Sequence, residues 1–307
     1  MSELLAEETA IGPVGPTSVR LTTAGAVIAV ALNLVWGTNA AALKIALWGL
    51  PPIGASGLRF SIAALGVLLW CLLTRTTVRP RRGEARWLAV NSALFLAQIA
   101  TFTLGVHFST AAHAIVILYL YPFLVVALAH FFLPDERISL ARIGGLAVAF
   151  SGIALLFAGE FGRWHGAALR GDLIELSSAV LLAVQIVFLK HAVARVTPTR
   201  VVFWQMFALS VVFLAYSFGL EGLSHVHAGP ASWAAVLYQG VFIGAIGFTV
   251  WMWQMRRFSA SVLSIFGFIA PPTGVLASWL VLHEPITPLL LVSAGLVAAG
   301  IVVANRP

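Results

Sequence analysis

Tyr119 and Tyr121, with Leu120 between them and Pro122 behind, stand inside "AIVILYLYPFLVVALAHFF" (114–132), a run otherwise almost wholly apolar. A phenolic hydroxyl both donates and accepts hydrogen bonds. A proline within a helix removes one backbone bond and leaves the carbonyl four residues earlier, here that of Leu118, without its partner. Pro271 and Pro272 in "FGFIAPP" (266–272) repeat the device and release the carbonyls of Gly267 and Phe268. Surrounded by hydrocarbon, such carbonyls are tolerated only where protein or a water-filled cavity satisfies them. Each kink therefore serves either packing alone or the wall of a cavity, where a released carbonyl can accept from a substrate ammonium. Its appearance twice favours the cavity.

Other groups fit the same chemistry. Trp36, Trp251 and Phe268 offer rings to a flat apolar substrate, and aromatic pairs add about 0.5–1.5 kcal/mol beyond area burial. On a straight helix Tyr119 and Tyr121 lie about 200° apart and cannot share one wall, unless the Pro122 kink reorients them. Asn39, Gln98 and Gln185 are neutral polar residues within apolar runs, as are Asn33, Gln205 and Gln254. Their default role is hydrogen bonding between helices, with pocket lining as the alternative for the first three. Arg59 lies too deep to snorkel, so it caps carbonyls, pairs across helices, or meets a substrate carboxylate. Lys44 and Lys190 sit at run ends, where their stems reach water. His113 opens a run at an interface, and Glu175, with Asp172 before it, is the one carboxylate expected at depth. No catalytic residue and no metal site is predicted: "HE" at 283–284 lacks the second histidine of a zinc helix, and no lysine sits mid-run opposite a carboxylate. No cofactor is expected.

The elements that must position these residues follow from composition. Of 307 residues 60% are hydrophobic and 9% charged, and mean hydropathy is +0.98, far from the balance of a water-soluble domain. Runs of about 20 apolar residues, each enough for one membrane-crossing helix, can be marked ten times: 22–46, 52–73, 86–106, 110–132, 138–158, 171–191, 199–220, 231–254, 259–282 and 287–304. Lack of alternation argues helices over barrel strands. Threading them with the N-terminus inside puts fourteen of the eighteen Lys and Arg on the cytoplasmic side and only Arg163 and Arg170 outside, as the positive-inside rule requires. Both termini are therefore expected in the cytoplasm. The acidic residues 1–20 read as a cytoplasmic tail without a signal peptide. The net charge of +7 reflects these loops and not a nucleic-acid partner. The lone Cys71 excludes an intramolecular disulfide.

The second half echoes the first. "LK" recurs at 43–44 and 189–190, each followed eight residues later by Pro52 or Pro198; "FSTAAHA" (108–114) is answered by "FSASVLS" (258–264); Glu136 in "PDERIS" aligns with Glu284 in "LHEPIT". The spacing divides the chain into a first unit, 21–158, and a second, 170–305. Each holds five runs, an odd number, so the second must enter the membrane from the opposite side. Inverted repeats with broken helices at their interface are a recurrent device of secondary transporters. The predicted fold is all-α, ten transmembrane helices in two inverted five-helix repeats around a central cavity. Small residues at Gly240 and Gly244, and at Gly295 and Ala299, mark faces where helices approach closely.

"NLVWGTNAAALK" (33–44), "PPIGASGLRF" (51–60), "STAAHAIVILYLYP" (109–122), the "PDERIS" loop and "SGIALL" (151–156) resemble the EamA-type transporters of the drug/metabolite transporter superfamily. "YLYP", "VWMW" (250–253) and "FGFIAPP" are most similar to the bacterial aromatic amino acid exporters. The resemblance implies a multi-pass protein of the bacterial inner membrane exporting amino acids, aromatic ones foremost, or related small zwitterionic metabolites by alternating access. Other metabolites or drugs are the alternative cargo, and an intramembrane enzyme the alternative class. Expected partners are the small-molecule substrate and membrane lipid; a monomer suffices and a dimer is possible. The absence of a symmetric acidic pair argues against a cationic drug.

Overall fold

The computed structural model describes residues 22–132, 143–145, 147–148, 151–152, 155, 166–193, 195–222, 226–258 and 266–304. The expected tail 1–20, most of the run 138–158, and Glu136 lie outside them. The described residues are helical, with no strand among them. In chain order the helices are α1 (Thr23–Gly37), α2 (Asn39–Ala46), α3 (Pro52–Leu73), α4 (Ala85–Phe108), α5 (Ala111–Leu118), α6 (Tyr121–Phe132), α7 (Gly166–Val193), α8 (Pro198–Tyr216), α9 (Pro230–Tyr238), α10 (Phe248–Arg257), α11 (Ala270–Leu282) and α12 (Pro288–Ala304). Among the described residues six stretches are long and apolar enough to cross a membrane: Thr23–Ala46, Pro52–Leu73, Ala85–Phe108, Leu169–Val193, Pro198–Glu221 and Pro230–Gln254. Leu65, Leu69, Leu72 and Leu73 on α3, with Leu276 and Leu280 on α11, are at least half exposed. That outer surface suits lipid.

Local chemistry sets the helix ends. Pro52, Pro198 and Pro230 open α3, α8 and α9, where a proline gives up an amide that has no helical partner anyway. Thr22 caps α1 by accepting from Gly25 N at 3.1 Å, and Thr110 caps α5 by accepting from His113 N at 3.1 Å. Pro122, Pro271 and Pro272 fall in the first turns of α6 and α11, and not in mid-helix as the sequence suggests. The chain breaks just before them: α5 stops at Leu118, and a 3₁₀ turn, Phe266–Ile269, precedes α11. A third interruption has no proline. Gln239–Gly247, between α9 and α10, is a π-helical segment.

Packing interleaves the two halves of the chain. Helix α4 lies along α7, α3 along α8, and α5 along α11, while α1 and α2 pack on α9, the π segment and α11. Glycines permit the closest approaches. A Cβ on Gly240 or Gly244 would lie 2.6 Å from the Cβ of Ile62 or Ala63 of α3, and one on Gly37 would lie 2.7 Å from the carbonyl oxygen of Ala270. Around Gly295 no described atom of another element lies within 4 Å of a Cβ built there, and most of the run 138–158 lies outside the described residues. Polar pairs tie the helices where lipid cannot: Asn91 Nδ2 donates to Gln205 Oε1 at 2.9 Å, and Ser61 and Ser210 hydroxyls meet at 2.6 Å.

The ends of the bundle are held by charge. Glu221 accepts from Ile53 N and Gly54 N, both at 2.8 Å, at the start of α3. Glu284 accepts from Ala111 N at 3.0 Å and Ala112 N at 3.1 Å at the start of α5. Both carboxylates answer orphan amides at the positive end of a helix dipole. Lys44 does not simply snorkel: its Nζ donates to the carbonyls of Val106, His107 and Ser109 and so closes the C-terminal end of α4. Arg200 pairs with Glu84 in a buried salt bridge.

Candidate functional site

Where α1, α2, α3, α4, α5, α6, α7, the π segment and α10 converge, they line a cavity of about 130 Å³. Of the residues expected to line it, Trp36, Asn39, Arg59, Gln98, Tyr119, Tyr121, Gln185 and Trp251 do so. The side chain of Phe268 is not among those described. Both tyrosines reach the cavity because the helix ends between them. Tyr119 follows the last residue of α5 and Tyr121 begins α6, so the 200° separation of a straight helix does not apply. Their rings meet edge-on at 5.5 Å. The cavity is more apolar than the watered vestibule the sequence suggests. Phe60, Phe95, Phe102 and Phe248 complete walls in which Trp36 meets Trp251 edge-on at 5.2 Å and Phe95 meets Phe248 at 5.3 Å.

Asn39 and Gln239 gather around Arg59. This side chain is 4% exposed. Its Nη1 donates to Gln239 Oε1 at 2.5 Å and to Asn39 Oδ1 at 3.3 Å. The guanidinium carbon also sits 4.8 Å from the Phe60 ring centre and 6.0 Å from that of Phe102, within reach of a cation–π attraction. Arg59 Nε and Nη2 have no hydrogen-bond partner among the described residues. Asn39 comes from the first half of the chain and Gln239 from the second, so the guanidinium is aimed from both halves. Gln98 and Gln185 are partly engaged elsewhere: Gln98 Nε2 donates to Ser178 Oγ at 3.0 Å, and Gln185 Nε2 to Asn91 Oδ1 at 3.5 Å.

Gln239 is the residue that sequence reasoning missed. Its signal was a lone amide between Tyr238 and Gly240 inside a long apolar run. The π segment that begins there re-aims the side chain, a use common to such bulges at functional positions. A second polar group lies apart from the lining, beside Gly105 and Ser109. Asp172 and Glu175 are both fully buried; Asp172 accepts from the Ser109 hydroxyl and meets His113 Nδ1 at 3.1 Å. His113 is therefore tied to α7 and is not merely interfacial.

The model of the EamA-like transporter family matches this chain twice, over residues 23–158 and 169–306. The chain belongs to that family. It is thus a multi-pass membrane transporter of small molecules, lodged in lipid, and not an enzyme. It is 30% identical over 288 residues to a Streptantibioticus cattleyicolor protein described as a "probable terminal-alkyne amino-acid exporter", covering 92% of this chain and 93% of that one. An Escherichia coli protein described as a "probable amino-acid metabolite efflux pump" is 24% identical, covering 90% of this chain and 92% of the other. An uncharacterized transporter of Bacillus subtilis is 26% identical, covering 89% and 93%. A solved crystal structure superposes with a TM-score of 0.68 at 22% identity, covering 91% of this chain and 95% of that one, a likeness of fold.

Proposed function

We propose that this EamA-like transporter exports amino acids, aromatic ones foremost, or related small zwitterionic metabolites from the cytoplasm by alternating access. The observation that carries the reading is a buried guanidinium, held by one residue from each half of the chain, facing a wall of aromatic rings. A carboxylate would satisfy the guanidinium and a ring the walls, while Tyr119, Tyr121, Gln98 and Gln185 offer hydroxyl and amide groups to the remainder. In this reading residues 21–158 and 170–305 are two inverted repeats of five spans, both termini are cytoplasmic, and a monomer is the working unit. The interleaving supports it: α3 with α8 pairs equivalent helices, α5 and α11 come from equivalent runs, and α4 with α7 is answered by the π segment and α9 against α1 and α2. Rocking one repeat against the other about Arg59 would open the cavity to each side in turn. The descriptions of two relatives as amino-acid exporters agree with this cargo.

The test is uptake into liposomes carrying the purified protein, with labelled phenylalanine, tryptophan, threonine and a cationic drug offered separately. Tryptophan and phenylalanine are expected to accumulate faster than in protein-free liposomes, with Trp251→Ala lowering their uptake several-fold and leaving the folded fraction unchanged. Transport of the cationic drug alone overturns the assignment.

A further inference from the structure

We infer that the cavity recognises a carboxylate and a ring and not an ammonium: its ligand class is the aromatic monocarboxylate, for which the amino group of an amino acid is dispensable. The inference rests on reading the cavity as the substrate site, and it narrows what that site recognises. Four buried polar atoms of the lining residues lack a partner among the described residues: Trp36 Nε1, Arg59 Nε, Arg59 Nη2 and Gln239 Nε2. All four are N–H donors. None of the lining residues is Asp or Glu, so the lining holds a guanidinium for a carboxylate and no carboxylate for an ammonium. A buried donor without an acceptor is unfavourable, so the complementary ligand brings acceptors to these donors, while an ammonium on it meets no carboxylate in the lining.

The geometry of Arg59 sharpens the point. Its Nη1 is occupied by Asn39 and Gln239, which leaves Nε and Nη2, the two donors along one edge of the planar fork. That edge is the one that takes a carboxylate through two parallel hydrogen bonds. The Nε2 of Gln239, on the residue already bonded to the guanidinium, supplies a further donor nearby. Among the described residues Arg59 has no carboxylate counter-ion, and the buried Asp172 and Glu175 are not part of the lining. Such a site binds the carboxylate and the ring and is indifferent to the α-amino group. A desamino acid therefore crosses as an anion and carries charge, whereas a zwitterionic amino acid crosses without any.

Three indole compounds separate the possibilities in liposomes containing the full-length protein: tryptophan, indole-3-propionate, which lacks the amino group, and tryptamine, which lacks the carboxylate. Indole-3-propionate is expected to be taken up with an apparent affinity no more than about threefold weaker than that of tryptophan, and tryptamine at least about tenfold weaker, the scale of one charge-assisted hydrogen bond. Uptake of indole-3-propionate should rise when the liposome interior is made positive, and uptake of tryptophan should not. Gln239→Glu is nearly isosteric and gives Arg59 an internal counter-ion. It should weaken indole-3-propionate at least about tenfold and leave tryptamine unharmed, which a folding defect would not do. Tryptophan transported with indole-3-propionate inert overturns this inference alone. Failure of all three compounds overturns it together with the assignment of the cavity.

Discussion

Arg59 and Arg200 are both buried, at 4% and 3% exposure, and their environments part structure from function. Arg200 meets Glu84, which also accepts from Arg81 N at 2.8 Å. Removing one member of such a pair strands the other, at about 3–5 kcal/mol. Arg200→Gln is therefore expected to lower the thermal unfolding temperature in detergent substantially, and the double variant Glu84→Gln with Arg200→Gln to regain much of the loss. Apparent affinity of the folded fraction for its substrate should not change. Arg59 bears a charge whose bonds are all to neutral groups, so Arg59→Gln should show the reverse: an unfolding temperature equal or higher, with substrate affinity lost. Function placed at the expense of stability is a recurrent pattern of binding sites. An unfolding temperature that falls as far for Arg59→Gln as for Arg200→Gln would return Arg59 to the scaffold.

Interruptions of helices, and not helices themselves, build the cavity. The break between Leu118 and Tyr121 brings both phenols inward, the π segment turns Gln239 towards Arg59, and the 3₁₀ turn at Phe266–Ile269 precedes α11. Close approach of α1 to α11 holds the assembly: a Cβ on Gly274 would lie 2.8 Å from the carbonyl oxygen of Gly37 and from the Ile115 side chain. Gly274→Val should thus separate α11 from α1 and α5 and abolish transport, with a clear fall in the unfolding temperature. By contrast Gly295→Ala, at an exposed position, should change neither. Prolines made two of these breaks legible in the sequence, because Pro122 and the Pro271–Pro272 pair cannot continue a helix. The face each tyrosine presents was not legible, since a helical wheel assumes the straight axis that the break removes. Nor was Gln239, because its π turn arises from glycines fitting against Ile62 and Ala63, a contact between residues about 180 positions apart. The same holds for Phe60, Phe95, Phe102 and Phe248. Apolar side chains look alike along a membrane helix, and only the packing of distant helices decides which of them face the hollow.

At the scale of the molecule, the order of spans across the membrane decides whether the two halves can exchange roles. Pairs of loops meet in a way that constrains it. His227 N donates to Gly49 O at 2.9 Å, joining the α2–α3 turn to the segment before α9. At another end, Glu84 pairs with Arg200 and Trp204 Nε1 donates to Val78 O at 2.8 Å, joining the α3–α4 loop to the start of α8. Ten spans with cytoplasmic termini put the first of these groups outside and the second inside. If the repeats are inverted, the turn after the first span and its counterpart, 146 residues later by the spacing of Lys44 and Lys190, lie on opposite faces. In a Cys71→Ala background, single cysteines at the exposed positions Trp48, Arg82, Arg195 and Val226 test this with a membrane-impermeant maleimide applied to whole cells. Cysteines at 48 and 226 should react at once, and those at 82 and 195 only after the membrane is opened. Reaction of 48 and 195 from the same side would mean that the halves run in parallel. Two parallel halves have no axis lying in the membrane plane, so neither could take the other's place when the cavity changes sides, and the rocking mechanism would fail with its geometry.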